Sequence, residues 1–288
     1  MDSKVKIVTD STAYLLPEVI TRYDIRVVPL KVVFGTEVYT EGVDITNEEF
    51  YQKLANSRTL PTTSQPSVSD FIRVYTELAQ QGHPVLSIHI SSKLSGTVNL
   101  ALSAREALPQ AQIEIIDAES PSMGMLIAPA AEAAEKGQTL PQLKASIEKL
   151  NAGLNEVGVF DTLEYLRKGG RIGGAKALLG SLLKIKPVLT FEGGEAKVLA
   201  KVRSITRAIE YILKFVEKRT EGSTSIHGGI RHTHALEAAL ALEKELRAHF
   251  NWAELDLFEL GPVFGTHMGP GLVGLGFYSD EAWQSGVS

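Results

Sequence analysis

Short apolar runs alternate with amphipathic stretches through the first half of the chain, and each change of period marks an element. Val5 to Thr9 is a buried-strand pattern that stops at Asp10, after which Pro17 opens a helix through Tyr23. Ile25 to Phe34 alternates as a strand, and the glycines of GTEVYTEGVDI behind it predict a hairpin, so a small β insertion falls near 30–45. Two capping-box spacings follow, Thr46 with Glu49 and Ser67 with Asp70. They open helices through Leu54 and to Gln81, with PTTSQPS as the loop between them. Pro84 to Ile90 is a second buried strand, SSKLSGT leads into a helix carrying Val98, Ala101, Leu102 and Leu108, and Ile113 to Asp117 is a third strand.

Strands alternating with helices in this way predict a parallel sheet covered on both faces, with a ligand crevice at the carboxyl ends of the strands. Asp10, Ser95 and Asp117 are expected on that edge. Helical segments at Pro121 to Lys136 and Leu140 to Leu150 precede a strand at Val157 to Asp161, and the organisation then changes. KPVLTFEGGEAKVLAKVR reads as a hairpin turning at Gly193 and Gly194. Long helices at Ser204 to Arg219 and Thr233 to Phe250 follow, with terminal strands near Leu255 and Leu272. The expectation is an α/β protein of two domains, residues 1–153 around a parallel sheet and 154–288 around a mixed one, with the ligand site between them.

Composition narrows the class. A chain of 288 residues with 44% hydrophobic content buries a core large enough for two domains. With no cysteine it has no disulfide, thiolate metal site or cysteine nucleophile, which suits a reducing cytoplasm. Charges interrupt the apolar run of MDSKVKIVTD, so the start is read as a strand and not a signal peptide. No stretch reaches the roughly 20 apolar residues that span a bilayer. A net charge of −5 argues against general nucleic-acid binding.

Four segments carry candidate chemistry. Thr62, Thr63 and Ser64 offer hydroxyl donors to an anion without adding charge, or serve as turn and cap residues. Ser95 and Gly96 follow a strand and open a helix, where hydroxyl and backbone N–H groups converge on an anion or simply cap the helix. LEYLRKGGRIGGAKALLGSLLKIKP gathers Arg167, Lys168, Arg171, Lys176, Lys184 and Lys186 around one acid, Glu164, which points to phosphate, an acidic partner or anionic lipid. Its GGRIGG lacks the dinucleotide spacing and follows a helix, so it is not a nucleotide loop. Leu178, Leu179, Leu182 and Leu183 form a stripe at helical spacing, read either as core or as the wall of an apolar tunnel or membrane contact. His267, in the glycine and proline loop GPVFGTHMGPGLVG, is either an exposed imidazole or one brought close to a ligand.

Six motifs in order, VTDSTA, TTSQPS, SSKLSGT, LEYLRKGGRIG, KIKPVL and GTHMGPG, make the chain resemble the DegV family over essentially its whole length. The resemblance implies a Rossmann-like domain followed by an α/β domain with a mixed sheet, enclosing one long-chain fatty acid and no cofactor. It implies a carrier, not an enzyme, that presents the carboxylate to a fatty acid kinase for acyl-phosphate formation. By motif, the carboxylate falls to Thr63, Ser95, Gly96 and His267, and partner docking or phosphotransfer to Arg171 and Arg203. Two positions depart from the pattern: Val98 stands where an aromatic is common, and Ile116, Asp117, Ala118 where the family has Ile-Asp-Ser.

Rival readings are a hydrolase using Ser95 and His267, a dihydroxyacetone-kinase-like subunit that binds a small carbonyl compound, and a pure interaction module. The hydrolase lacks a G-x-S-x-G elbow.

Overall fold

A computed structural model describes residues 4–178 and 185–283. The chain opens with β1 (Lys6–Asp10), a 3₁₀ turn, α1 (Pro17–Tyr23) and β2 (Arg26–Val28). A hairpin of β3 (Lys31–Phe34) and β4 (Glu37–Thr40) follows, then α2 (Asn47–Asn56), β5 (Thr62–Ser64) and α3 (Val68–Gln80). Next come β6 (Val85–His89), α4 (Thr97–Glu106), β7 (Ile113–Asp117), α5 (Gly124–Glu135) and α6 (Leu140–Gly153). Strands β2, β1, β6 and β7 form a four-stranded sheet in that order, all parallel. Its carboxyl edge carries Asp10 and Asp117, with Ser95 in the loop after β6. Both capping boxes form as the spacing required, Thr46 with Glu49 and Ser67 with Asp70.

The second half holds β8 (Asn155–Val159), α7 (Glu164–Lys168), β9 (Lys186–Glu192), β10 (Glu195–Val202), α8 (Ile205–Arg219) and β11 (Ile226–His232). It ends with α9 (Leu236–His249), β12 (Trp252–Glu259), α10 (Pro262–Met268), β13 (Val273–Ser279) and α11 (Asp280–Trp283). Its six strands run in the order β10-β9-β8-β13-β11-β12, parallel only between β11 and β12. The fold is therefore α/β, with one parallel and one mixed sheet, as the periodicity predicts.

Four details differ from the sequence reading, each for a physical reason. Ile25 to Phe34 is two strands in different sheets, because Pro29 has no N–H to continue a ladder and the Leu30 N–H turns to Ser11 Oγ at 3.0 Å. Thr62–Ser64 is a strand on the β3–β4 hairpin, with Thr63 opposite Val32, and not a loop. Strand β11 lies in a segment to which the sequence reading assigns no element, and it contains Gly228 and Gly229. They are small because neighbours fill the space: a Cβ at Gly228 would stand 2.3 Å from the Trp252 ring. Finally, His267 lies on helix α10 and not in a loop.

Leu178 is 2% exposed and belongs to the core, while Leu179, Leu182, Leu183 and Lys184 lie outside the described residues. Among the described residues no helix is long and apolar enough to cross a membrane.

Candidate functional site

The site is organised by α10, whose seven residues start at Pro262 behind Gly261. A helix this short has no stability of its own and must be held from outside. Its first turn is held by Glu41, at the end of the β insertion. The Glu41 carboxylate accepts the Val263 N–H at 2.8 Å, the Tyr14 hydroxyl at 2.6 Å and the Ser11 hydroxyl at 2.6 Å. Tyr14 in turn accepts the Phe264 N–H at 3.1 Å. Burial pushes the Glu41 carboxyl up, and these donors pull it back towards the charged form. At the other end the Thr233 hydroxyl donates to the Gly269 carbonyl at 2.6 Å and accepts the Leu272 N–H at 2.9 Å. Against α2, the α10 backbone comes so close that a Cβ at Gly265 would sit 2.3 Å from Phe50.

So fixed, α10 aims His267 at β5, with Nε2 2.7 Å from the Thr63 hydroxyl. The ring lies over Gly169, where a Cβ would stand 2.5 Å from Nδ1. Nδ1 is buried and has no hydrogen-bond partner among the described residues. Burial first, and the nearby Arg171 charge second, lower His267 to about 4, so the imidazole is neutral near pH 7.

Thr63, Ser95, Arg171 and His267 line one cavity. Ser95 Oγ is 2.9 Å from Thr97 Oγ1. Arg171 donates from Nε to the Leu94 carbonyl at 3.0 Å and from Nη1 to the Gly169 carbonyl at 2.5 Å. Two hydroxyls, a neutral imidazole with a spare nitrogen and one guanidinium form a donor set suited to a monoanion. Gly96 stands beside Ser95 as the N-cap of α4 but is not part of the cavity wall, and the Gln65 side chain fills the space its Cβ would take. Arg203 is exposed in the bend after β10, away from this wall. The segment around Arg171 is anchored by these two bonds, and Arg171 lines the same cavity as Thr63, Ser95 and His267.

A second cavity adjoins the first through Thr12, Phe264 and Met268. Phe160, Phe191, Leu260 and Leu272 make it apolar, and Gly158 and Gly274 leave the sheet face bare beneath it. In this structure each cavity holds only about 30 Å³ of water-sized free space, so the walls must part to admit a ligand larger than a water molecule. Neither Val98 nor Ala118, the two departures noted in the sequence, is in either wall; both are packed in the core.

The sequence matches the model of a family described as "Uncharacterised protein, DegV family" over residues 4–280. The chain belongs to the DegV family. A DegV domain-containing protein of Halalkalibacterium halodurans is 37% identical, covering 97% of this chain and 100% of the relative. Among solved structures, a fatty-acid-binding DegV-family protein from Thermus thermophilus superposes with a TM-score of 0.91 at 39% identity, covering 96% of this chain and 99% of that one. A stearic-acid-binding protein from Eubacterium ventriosum gives 0.86 at 28% identity, covering 96% and 98%.

Within this DegV-family chain, sequence reasoning did not find Glu41 and Tyr14, which fix the helix under His267. The usable signal was Pro262 one residue after a glycine, the N1 position of a helix. The hydrolase pairing of Ser95 with His267 does not form: Nε2 faces Thr63, and Ser95 faces Thr97. A Ser87–His89–Asp10 chain does exist, with contacts of 2.7 and 3.0 Å, but Ser87 is fully buried and bonded by Tyr75. It is a satisfied core network.

Proposed function

We propose that this protein encloses one long-chain fatty acid between residues 1–153 and 154–288, and presents its carboxylate to a fatty acid kinase for acyl-phosphate formation. The observation that carries the reading is the pairing of two adjoining cavities, one ringed by Thr63, Ser95, Arg171 and His267 and the other apolar. In this reading Thr63, Ser95 and His267 bind the carboxylate, and Gly96 shapes the turn that positions Ser95. Arg171 offsets its charge and lies where a transferring phosphate would arrive. Arg203, exposed on the same half, belongs to the docking face for the kinase. The protein is a carrier that needs no cofactor, working in the cytoplasm and meeting a membrane surface only briefly to load.

Energetics favour such a division of labour. Burying each CH₂ is worth about 0.8 kcal/mol, so a long acyl chain contributes on the order of 10 kcal/mol gross. The tail supplies affinity, and the head must only avoid leaving a buried anion unpaired. Relatives of known structure that bind fatty acids at high structural similarity support the ligand class.

Native mass spectrometry of the purified protein tests the reading. A single retained C14 to C18 acid is expected. No retained lipid, together with no binding of added palmitate or stearate, overturns it, and a small polar ligand in its place supports the dihydroxyacetone-kinase-like alternative.

A further inference from the structure

The apolar cavity does not end in an apolar wall. Glu156 on β8 faces it, together with Ser122 and Arg231. Three strands place these groups in a row. Glu156 pairs with Gly276 on β13, and Gly276 pairs with Gly229 on β11. Each glycine clears space for a polar group lying over the sheet: a Cβ at Gly276 would stand 2.4 Å from Ser122 Oγ, and one at Gly229 would stand 2.5 Å from the Arg231 guanidinium. Arg231 is held there by Asp256 at 2.6 Å and lies over the Phe258 ring at 4.3 Å. The Glu156 carboxyl accepts from Ser120 Oγ and the Ser122 N–H on Oε2, and the Ser122 hydroxyl also bonds it.

A hydrocarbon end would press a methyl group against this row of polar groups, where a hydroxyl would gain hydrogen bonds instead. We propose that the far end of the cavity is a second polar subsite, built from Glu156, Ser122 and Arg231, that takes a hydroxyl carried by the acyl chain remote from its carboxylate. The preferred ligand is then a hydroxylated long-chain acid. Burial raises the Glu156 carboxyl to about 7, so a neutral form is populated near neutrality. A neutral carboxyl both donates and accepts, as a hydroxyl does. The inference rests on the fatty-acid reading above and specifies its substrate.

Delipidated protein titrated with hexadecanoate and octadecanoate, and with their hydroxy derivatives substituted at successive positions towards the methyl end, decides it. At least one hydroxy acid is expected to bind ten-fold or more tightly than its parent. Glu156→Leu and, as a milder change, Ser122→Ala are expected to bring that ratio within two-fold. If the parents bind and no hydroxy acid exceeds its parent, or if the preference survives in both variants, the subsite is refuted and the fatty-acid reading stands. If neither parents nor derivatives bind, the fatty-acid reading falls and this inference falls with it.

Discussion

Arg171→Met keeps the length and apolar stem of the side chain and removes its charge. Arg171 shares the polar cavity with His267, and its guanidinium already depresses the imidazole. A carboxylate in that cavity lies within a few ångströms of the guanidinium, where unit charges at an effective dielectric near 20 attract by about 3–4 kcal/mol. Part of this is offset by desolvation, and a charge-assisted hydrogen bond nets about 1.5–3 kcal/mol. Fatty-acid affinity should therefore fall roughly 10- to 150-fold. A second consequence is independent of any ligand: without the positive neighbour, His267 should titrate above its present value of about 4. Arg171→Lys should restore most of the His267 shift but not the full affinity, because an ammonium cannot reproduce the fork that spans the Leu94 and Gly169 carbonyls. Calorimetric titration at fixed ionic strength and NMR titration of the imidazole read the two effects separately. Affinity within two-fold of wild type, with an unmoved His267 titration, would remove Arg171 from the headgroup site. A variant that still binds but no longer supports kinase-coupled turnover would place its role in transfer alone.

Three further outcomes follow from the same geometry. Thr63→Val strands His267 Nε2 beside the already unpartnered Nδ1, so the ligand-free protein should lose about 1–3 kcal/mol in urea denaturation, and no loss would mean the 2.7 Å contact contributes nothing. His267 has a folded value near 4 against an ordinary 6.5, so the unfolded chain binds the extra proton between those values and stability falls on acidification through that window. The stability difference between wild type and His267→Asn should accordingly shrink, by an amount on the order of 3 kcal/mol, from pH 7 to pH 4; a constant difference refutes it. Glu41→Gln keeps an acceptor but brings an amide N–H₂ against donors, so stability should drop by about 1–3 kcal/mol and fatty-acid affinity with it, measured on the same preparation. Lowered stability with wild-type affinity would separate Glu41 from the site.

What could be read from the sequence was local. The capping boxes at Thr46 and Ser67 formed because a side chain and an N–H three residues on need no distant partner. Pro17 set the first helix boundary for the same reason. Strand β11 was missed because Gly228 and Gly229 weaken its strand signal, and only the packed Trp252 and the Arg231 guanidinium explain their size. Helix α10 was missed because its glycines lower local propensity, and its stability comes from Glu41 and Thr233, far away in sequence. The motifs singled out Thr63, Ser95, Arg171 and His267, but nothing in their spacing said that they meet in one cavity, or that Gly96 and Arg203 stay outside it. The anchoring of Arg171 on two backbone carbonyls was equally invisible, since it depends on the loop after β6 reaching the segment after α7.

The origin of the donors bears on how such a site works. Thr63 and Ser95 come from the half around the parallel sheet, and Arg171 and His267 from the half around the mixed sheet. Walls of the apolar cavity divide in the same way, with Thr12 and Ser122 on one side and Phe160 and Leu272 on the other. In the proposed reading an acid here would touch both halves, so an opening between them that released the tail would also disperse Thr63, Ser95, Arg171 and His267. Helix α10 ties the two events together, because Glu41 of one half holds its first turn while Thr233 of the other holds its last. His267 therefore keeps its place only while both attachments hold. If the protein carries a fatty acid as proposed, head recognition and closure over the chain would draw on the same contacts, and the cargo would be held by the tail while its reactive end stayed within reach of a partner.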